Sequence, residues 1–405
     1  MKMRDYKSDF PIFRNSGIVY IDNAATAQRP EKVLEAERYF YENHNANPLR
    51  GLYSLSVEAT EDLENARQIV ADFIGAKRPE EVIFTRNTTE GLNLVAYSYG
   101  LSHIKPGDEI LVSITEHHSD LLPWQMVARM TGAKLKFIEC EKDGSFDLDK
   151  VEAQFSDRTR LVAMAQVSNV LGRVNPIKEI AGMTHSRGAV MVVDGAQSTP
   201  HMKVDVNELG ADFFAFSGHK IYAPMGIGAL WGREELLDEM PPFLSGGEMI
   251  ESVSRESAVF AELPHKFEAG TVNASGAYGL GAAIGYVNEI GFDTIHAREL
   301  EVSSYAFNKM KEIPHVNILG SDDPAEHNGI ITFTIDDVHP HDVGEIFASE
   351  NIAVRAGHHC AEPLLKYLGY RSTVRASFAF YNTKEDADRF LECLLTIRER
   401  MGYGK

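Results

Sequence analysis

"AVMVVDGAQ", Ala189 to Gln197, stays apolar for one short run and breaks at Asp194. A brief, uninterrupted run of Val and Met that ends in a turn reads as a strand buried on both faces, the kind found in parallel sheets covered by helices. The same rhythm extends outward in both directions. "EVIFT", "EILVSIT", "KLKFIE", "RLVAMAQVS", "DFFAFS" and "GIGALWG" alternate with longer helical patterns between about residues 80 and 235. The fold class is therefore α/β, a mostly parallel sheet with helices on both faces. Past about residue 285 the pattern changes to "GIITFTI", a helix near "HPHDVGEIFASE", then "IAVRAG", "TVRASFAFY" and an amphipathic helix begun by Thr383. The expected division is a large unit over 16–284 and a smaller α+β unit formed by 1–15 with 285–405. Between them, "GAYGLGAAIGY" reads as a tightly packed helix with small faces.

Ligands of such sheets bind beyond the carboxyl ends of the strands, so the turns are where chemistry is expected. Asp194 emerges at one such end, with Gln197 a turn further on; alone, the carboxylate fits a helix cap equally well. "DFFAFSGHK" repeats the design with Ser217, His219 and Lys220. A strand-end lysine can simply be solvated, but among polar neighbours it can also be an amine of lowered pKa that condenses with a carbonyl. "TRNTTEGLN" offers a helix start capped by Asn87, with Glu90 three positions on. Capping leaves Thr88 and Thr89 unused, and two hydroxyls beside free N–H groups suit a phosphate. A phosphate cradle, a carboxylate and a lysine together are what pyridoxal 5'-phosphate requires: a Schiff-base amine and a partner for the pyridine nitrogen.

The chain has 405 residues, 44% of them hydrophobic, enough for two or three folding units. Its formal charge of -19 repels phosphate backbones and anionic lipids, which argues against nucleic-acid and membrane partners. The start "MKMRDYKSDF" has no apolar leader segment, and a cytoplasmic setting is expected. No GxGxxG follows a strand, and the pairs "EHHS" and "GHHC" lack zinc-ligand spacing, so neither a dinucleotide nor a metal is expected. His118, His358 and His359 fit a hydrated loop as readily as a functional role.

Three cysteines occur without pairing-like spacing, and the chain reads as reduced. Cys393 shares an apolar helical face with Phe390, Leu394 and Ile397, and Cys140 closes "AKLKFIEC"; both read as structural thiols. Cys360, in "RAGHHCAEP", lies among Gly357, two histidines and Pro363, which is loop composition. In "TVRASFAF", Val374, Phe378 and Phe380 share one side and Arg375 with Ser377 the other.

Nine motifs in order, "YIDNAATAQRP", "RNTTEGLNLVA", "TEHHSDLLPW", "VSNVLG", "VDGAQS", "SGHKIYAPMGIG", "FEAGTVN", "RAGHHCAEP" and "VRASFAFYNT", resemble the cysteine desulfurases of the class V aminotransferase family. The likeness is to the SufS and CsdA branch, which includes selenocysteine lyases, and it spans essentially the whole chain. It implies fold type I of the pyridoxal-phosphate enzymes and a set of roles. Lys220 would bind the cofactor, Asp194 the pyridine nitrogen and Gln197 the phenolic oxygen. His117 would stack on the ring and assist proton transfer, while Thr88, Thr89, Ser217 and His219 would hold the phosphate. Thr271 would reach the phosphate of a second subunit, implying a homodimer. Asn169 and Arg375 would hold the substrate carboxylate. Cys360 would take sulfur from L-cysteine as a persulfide, leaving alanine, with nearby histidines and Arg355 lowering the thiol pKa. The sulfur would pass to an acceptor of the SufE or SufU type, or directly to a scaffold, for iron–sulfur cluster assembly. L-Selenocysteine is the alternative substrate, and a non-catalytic assembly scaffold the alternative role. One departure is that Ala223 and Met225 stand where glycine and a small polar residue are expected, a change in packing beneath the cofactor.

Overall fold

The computed structural model describes residues 4–404. Its strands are β1 Val19–Tyr20, β2 Val82–Thr85, β3 Glu109–Ser113, β4 Lys134–Ile138, β5 Thr159–Ala165, β6 Val190–Asp194, β7 Phe213–Ser217 and β8 Gly228–Gly232. They continue with β9 Ile250–Val253, β10 Ala258–Phe260, β11 Val316–Ile318, β12 Ile330–Ile335, β13 Ile352–Ala353, β14 Arg355–Gly357 and β15 Thr373–Ser377. The seven apolar runs all enter one sheet, in the order β2-β8-β7-β6-β5-β3-β4. Only β8 runs antiparallel to its neighbours. The connection 218–227 explains the exception: it is too short for the helical crossover that a parallel return requires.

Alternation divides the sheet's side chains between two apolar layers. Val162, Met164, Met191, Val193, Phe214 and Phe216 enter one, and Leu161, Ala163, Val192, Phe213 and Ala215 the other. The parallel strands therefore bring the ends of β2, β3, β5, β6 and β7 to a single edge. The helix Ala274–Ile290 is as small-faced as its sequence suggests: a Cβ at Gly279 would sit 2.6 Å from Pro224, just beyond the Lys220 turn.

A second, antiparallel sheet has the order β11-β12-β15-β14. Ile331, Phe333, Val374, Ala376 and Phe378 pack there against Phe390 and Leu394 of the helix Lys384–Arg400. Thr383 caps that helix in a reciprocal box with Asp386. "IAVRAG" is not one strand: β13 pairs in parallel with β1, whereas β14 pairs with β15. Phe380 also departs from the expected side. The strand ends at Ser377, alternation ends with it, and Phe380 joins the larger core against Tyr6 at 5.5 Å and Tyr222 at 5.2 Å between ring centroids.

The segment after β1 threads between the sheets, where Asn23 Nδ2 donates to the Ser377 carbonyl at 2.7 Å and the Ala27 N–H to that of His219 at 3.0 Å. A buried ion pair ties a helix to the sheet edge. Arg67, in the helix Ser54–Ile74, makes two bonds to Glu268 at 2.6 and 2.9 Å, and Glu268 also accepts the Phe84 N–H of β2 at 2.7 Å. No helix among the described residues is long and apolar enough to cross a membrane.

Candidate active site

The shared edge of the large sheet opens into a cavity of about 210 Å³, closed from the far side by β14, β15 and the loop after β14. Ala165 and Asp194 lie side by side in register at the ends of β5 and β6. Ser217 ends β7 opposite Gly228 of β8, and Thr85 of β2 faces the same glycine. A Cβ on Gly228 would lie 2.9 Å from Asn87 Cα, so glycine is what lets the turn after β2 lie flat on the sheet.

That turn begins the helix Thr88–Leu94, capped by Asn87 Oδ1, which accepts the Glu90 N–H at 3.0 Å. Glu90 does not complete a reciprocal box with Asn87; its carboxylate accepts the N–H and Nε of Arg86 at 2.5 and 2.8 Å. The Thr88 N–H and hydroxyl meet Ser217 Oγ at 2.8 and 2.7 Å, and Thr89 Oγ1 meets Ser119 Oγ at 2.7 Å. His219 Nδ1 contacts Thr26 Oγ1 at 3.2 Å. These groups make a ring of hydroxyls and helix-start N–H groups at one end of the cavity.

Asp194 Oδ1 accepts the Ala196 N–H at 2.8 Å, and among the described residues Oδ2 has no partner. Burial raises its pKa, opposed by Lys220. Burial likewise lowers the Lys220 amine to about 8, a shift that Asp194 opposes and Arg375 reinforces. Gln197 Nε2 donates to the Ala24 carbonyl at 2.8 Å and keeps its second N–H, while Oε1 is buried without a partner. His117 Nδ1 accepts the Ser119 N–H at 3.1 Å, which leaves the proton of the neutral ring on Nε2. Burial, then the charge of Lys220, holds that imidazole down to about 3.

Arg355 and Arg375 stand opposite one another on β14 and β15, a pairing that repels unless neutralised. Asp22, just after β1, bridges them at 3.1 and 3.4 Å. Burial brings Arg375 down to about 10, and its Nη1 donates to the Asn169 carbonyl at 2.8 Å. Asn169 Nδ2 in turn donates to the His359 carbonyl at 2.7 Å. Cys360 is the one exposed thiol of the three cysteines, whereas Cys140 and Cys393 are buried and pushed up to about 11 by that burial.

The structure thus brings Thr88, Thr89, His117, Asn169, Asp194, Gln197, Ser217, His219, Lys220, Arg355, Cys360 and Arg375 around one cavity. Thr271 is not among them. It is exposed and lines a separate cavity of about 410 Å³ with Arg86, Glu90 and Phe243. Met225 is 68% exposed, so of the two departures only fully buried Ala223 packs near the lysine. Burial drives His359 down to about 2 and lowers His118. Arg355 is engaged by Asp22.

Sequence reasoning missed Asp22, Ser119 and a carboxylate pair, Glu116 and Asp120. Glu116 lies within 2.9 to 3.0 Å of the Ala165 N–H, and Asp120 accepts from Trp124 Nε1 at 2.9 Å. Burial raises the pKa of both. Their only sequence signal is position: they flank "HHS" in a turn.

These residues fit pyridoxal 5'-phosphate on the structure's own terms. Among the described residues, a buried aspartate with one unpaired carboxylate oxygen, a buried glutamine with an unpaired Oε1 and a depressed amine stand near a hydroxyl and N–H cradle. No cluster of potential metal ligands occurs among the described residues.

Residues 19–390 match the Aminotransferase class-V family model. A probable cysteine desulfurase of Halalkalibacterium halodurans is 47% identical over 407 residues, all of both chains. Among solved structures, the cysteine desulfurase of Thermococcus onnurineus in its apo form has a TM-score of 0.94 and 43% identity, covering 98% of this chain and 99% of that one. CsdA of Escherichia coli, a cysteine desulfurase seen in an S-sulfonic acid form, has a TM-score of 0.91 and 37% identity over 98% of each chain. The chain belongs to the class-V aminotransferase family, among its cysteine desulfurases.

Proposed function

We propose that this chain is a pyridoxal-phosphate-dependent cysteine desulfurase that converts L-cysteine to L-alanine and holds the sulfur as a persulfide on Cys360. The observation that carries the reading is that Lys220 and Cys360 line one cavity from opposite sheets. The bound cofactor supplies an electron sink for charge developing at the substrate Cα. Lys220 would hold the cofactor, and its Nζ, when free, would take the substrate Cα proton. The lowered pKa favours the neutral amine that this requires. Asp194 would pair with the ring nitrogen, Gln197 would donate to the phenolic oxygen, and Thr88, Thr89, Ser217 and His219 would hold the phosphate. Arg375 and Asn169 orient the substrate carboxylate, with Arg355 beside them. His117, whose Nδ1 accepts the Ser119 N–H and leaves the ring proton on Nε2, would assist proton transfer beside the cofactor.

Cys360 Sγ, as the thiolate, attacks the substrate sulfur. The new sulfur–sulfur bond forms as the carbon–sulfur bond breaks, its electron pair stays with carbon, and protonation yields alanine. Because Cys360 is exposed, it can also meet an external acceptor. We place that acceptor among proteins of the SufE or SufU type, serving iron–sulfur assembly in the cytoplasm. We keep the division into a 16–284 unit and a 1–15 with 285–405 unit on the strength of the two separate sheets, with Phe10, Phe13 and Phe380 packed into the core of the large sheet and Val19 and Ile21 into that of the small one. Thr271 is assigned to a second subunit's phosphate, so sedimentation at low micromolar concentration should show a dimer; a fully active monomer overturns that assignment.

Alanine and sulfide release from the purified holoenzyme, with and without a candidate acceptor, tests the activity. The same assay on L-selenocysteine, repeated with Cys360→Ser, separates the alternative substrate, because selenide release does not in principle need the thiol. Absence of alanine from either substrate would leave only a scaffold role.

A further inference from the structure

The two adjacent histidines of "EHHS" are used differently. His117 lines the cavity, and His118 does not. It meets the Cys360 loop instead, and twice. Its backbone N–H donates to the Cys360 carbonyl at 2.6 Å, and its ring Nε2 accepts the Glu362 N–H at 3.2 Å. The second bond fills a gap left by the local sequence. Glu362 opens the short helix Glu362–Tyr367, and its cap residue, Ala361, has no side chain able to accept a first-turn N–H.

The loop needs such outside contacts. His359 and Cys360 both adopt left-handed backbone, with φ of 52° and 55°, a conformation unfavourable for residues with a Cβ and stable only where the surroundings impose it. On one side Asn169 holds the His359 carbonyl; on the other His118 holds the Cys360 carbonyl and the following helix start. The ring can accept only while Nε2 is unprotonated, and its burial lowers the pKa against the opposing charge of Glu362.

We propose that His118 is a positioning residue for the sulfur-transfer step: its ring caps the helix after Cys360 and so fixes the strained backbone from which the thiol is presented to substrate sulfur. The proposal rests on Cys360 being the sulfur acceptor, as argued above.

The test uses holoenzyme carrying His118→Ala, His118→Gln or Glu362→Pro. Glutamine can still accept the Glu362 N–H through Oε1. Proline at the first helical position deletes that N–H while leaving the histidine in place. Three readouts separate the steps: the cofactor absorbance change on adding cysteine, the single-turnover rate of alanine formation, and the rate of Cys360 alkylation by iodoacetamide. His118→Ala and Glu362→Pro should each slow alanine formation by about tenfold or more, as expected for a misplaced nucleophile. Alkylation should speed up by about tenfold in both, and the absorbance change should match wild type. His118→Gln should recover most of the loss. Alanine formation and alkylation within about twofold of wild type in His118→Ala and Glu362→Pro overturn the proposal, as does a glutamine variant no better than alanine. If His118→Ala does not fold, Glu362→Pro decides alone by the same thresholds. Failure of the parent reading has a different sign: Cys360→Ala would still form alanine, while alkylation of the wild-type thiol would still report on the latch.

Discussion

The side-chain amide of Asn169 donates to the carbonyl of His359, at 2.7 Å, while the backbone carbonyl of Asn169 accepts from Arg375. One residue thus stands between the arginine assigned to the substrate carboxylate and the loop that carries the thiol. Asn169→Ala should therefore raise KM for cysteine by about tenfold, the loss of one hydrogen bond to a charged group, and also slow alanine formation at saturating substrate. A change confined to KM would show that the bond to His359 has no catalytic consequence.

Lys220 gives a pH signature. An ordinary lysine titrates near ~10.4, whereas burial brings this amine down to about 8. Only the neutral amine attacks an aldehyde, so the protonated form below that pH is unreactive. The rate at which cofactor-free protein takes up pyridoxal phosphate should rise with pH to about 8 and then level off. A rate still climbing above pH ~10 would mean an unperturbed lysine. Lys220→Ala should show no reductively trappable cofactor and no turnover.

Cys360→Ala should keep the cofactor colour and respond spectrally to cysteine, because Lys220 and Asp194 suffice for chemistry at Cα. Sulfur transfer should stop. After one turnover of wild-type enzyme, mass spectrometry should find the extra sulfur on the peptide containing "HHCAEP". Sulfur found on Cys140 or Cys393, both buried with raised pKa, would overturn the assignment.

Glu268 has no place in the chemistry, yet it neutralises Arg67 in the core and receives the Phe84 N–H. Glu268→Ala leaves the buried guanidinium with Glu64, at 2.9 Å, as its one carboxylate partner among the described residues, and urea unfolding should show a loss of about 3 kcal/mol, the low end for breaking a buried pair. Glu268→Gln, whose Oε1 can still accept from Arg67 Nη1 and the Phe84 N–H although its amide nitrogen cannot accept from Nη2, should lose less. A loss for Glu268→Ala below about 1 kcal/mol would place that pair among those worth no more than surface ion pairs.

The strands of the large sheet are legible because each is an apolar run long enough to be buried on both faces. Their order is not, since it depends on crossovers; only the return of β8 follows from the short connection before it. Within the site, Asp194, Lys220 and the Thr88–Thr89 turn are legible as strand-end groups. Asp22 is not, because the arginines it joins lie 333 and 353 residues away. The split of "IAVRAG" is hidden for the same reason: it is imposed by β1. The separate duty of His118 was equally invisible, since nothing in "EHHS" distinguishes a ring that faces a cavity from one that caps a distant helix.

The pairing of β1 with β13 also orders events in time. A chain emerges from the ribosome at roughly 5 to 20 residues per second, and domains fold as their residues become available. The large sheet and its lysine are complete once β8 has emerged. Asp22, meanwhile, waits for Arg355 and Arg375, and Val19 has no partner until Ile352 appears. For roughly ten seconds of synthesis, on those rates, the nascent chain has an amine that can capture an aldehyde and no thiol to meet it. Sulfur chemistry is the last capability the chain acquires, and a truncated product of stalled translation would be unable to release sulfide.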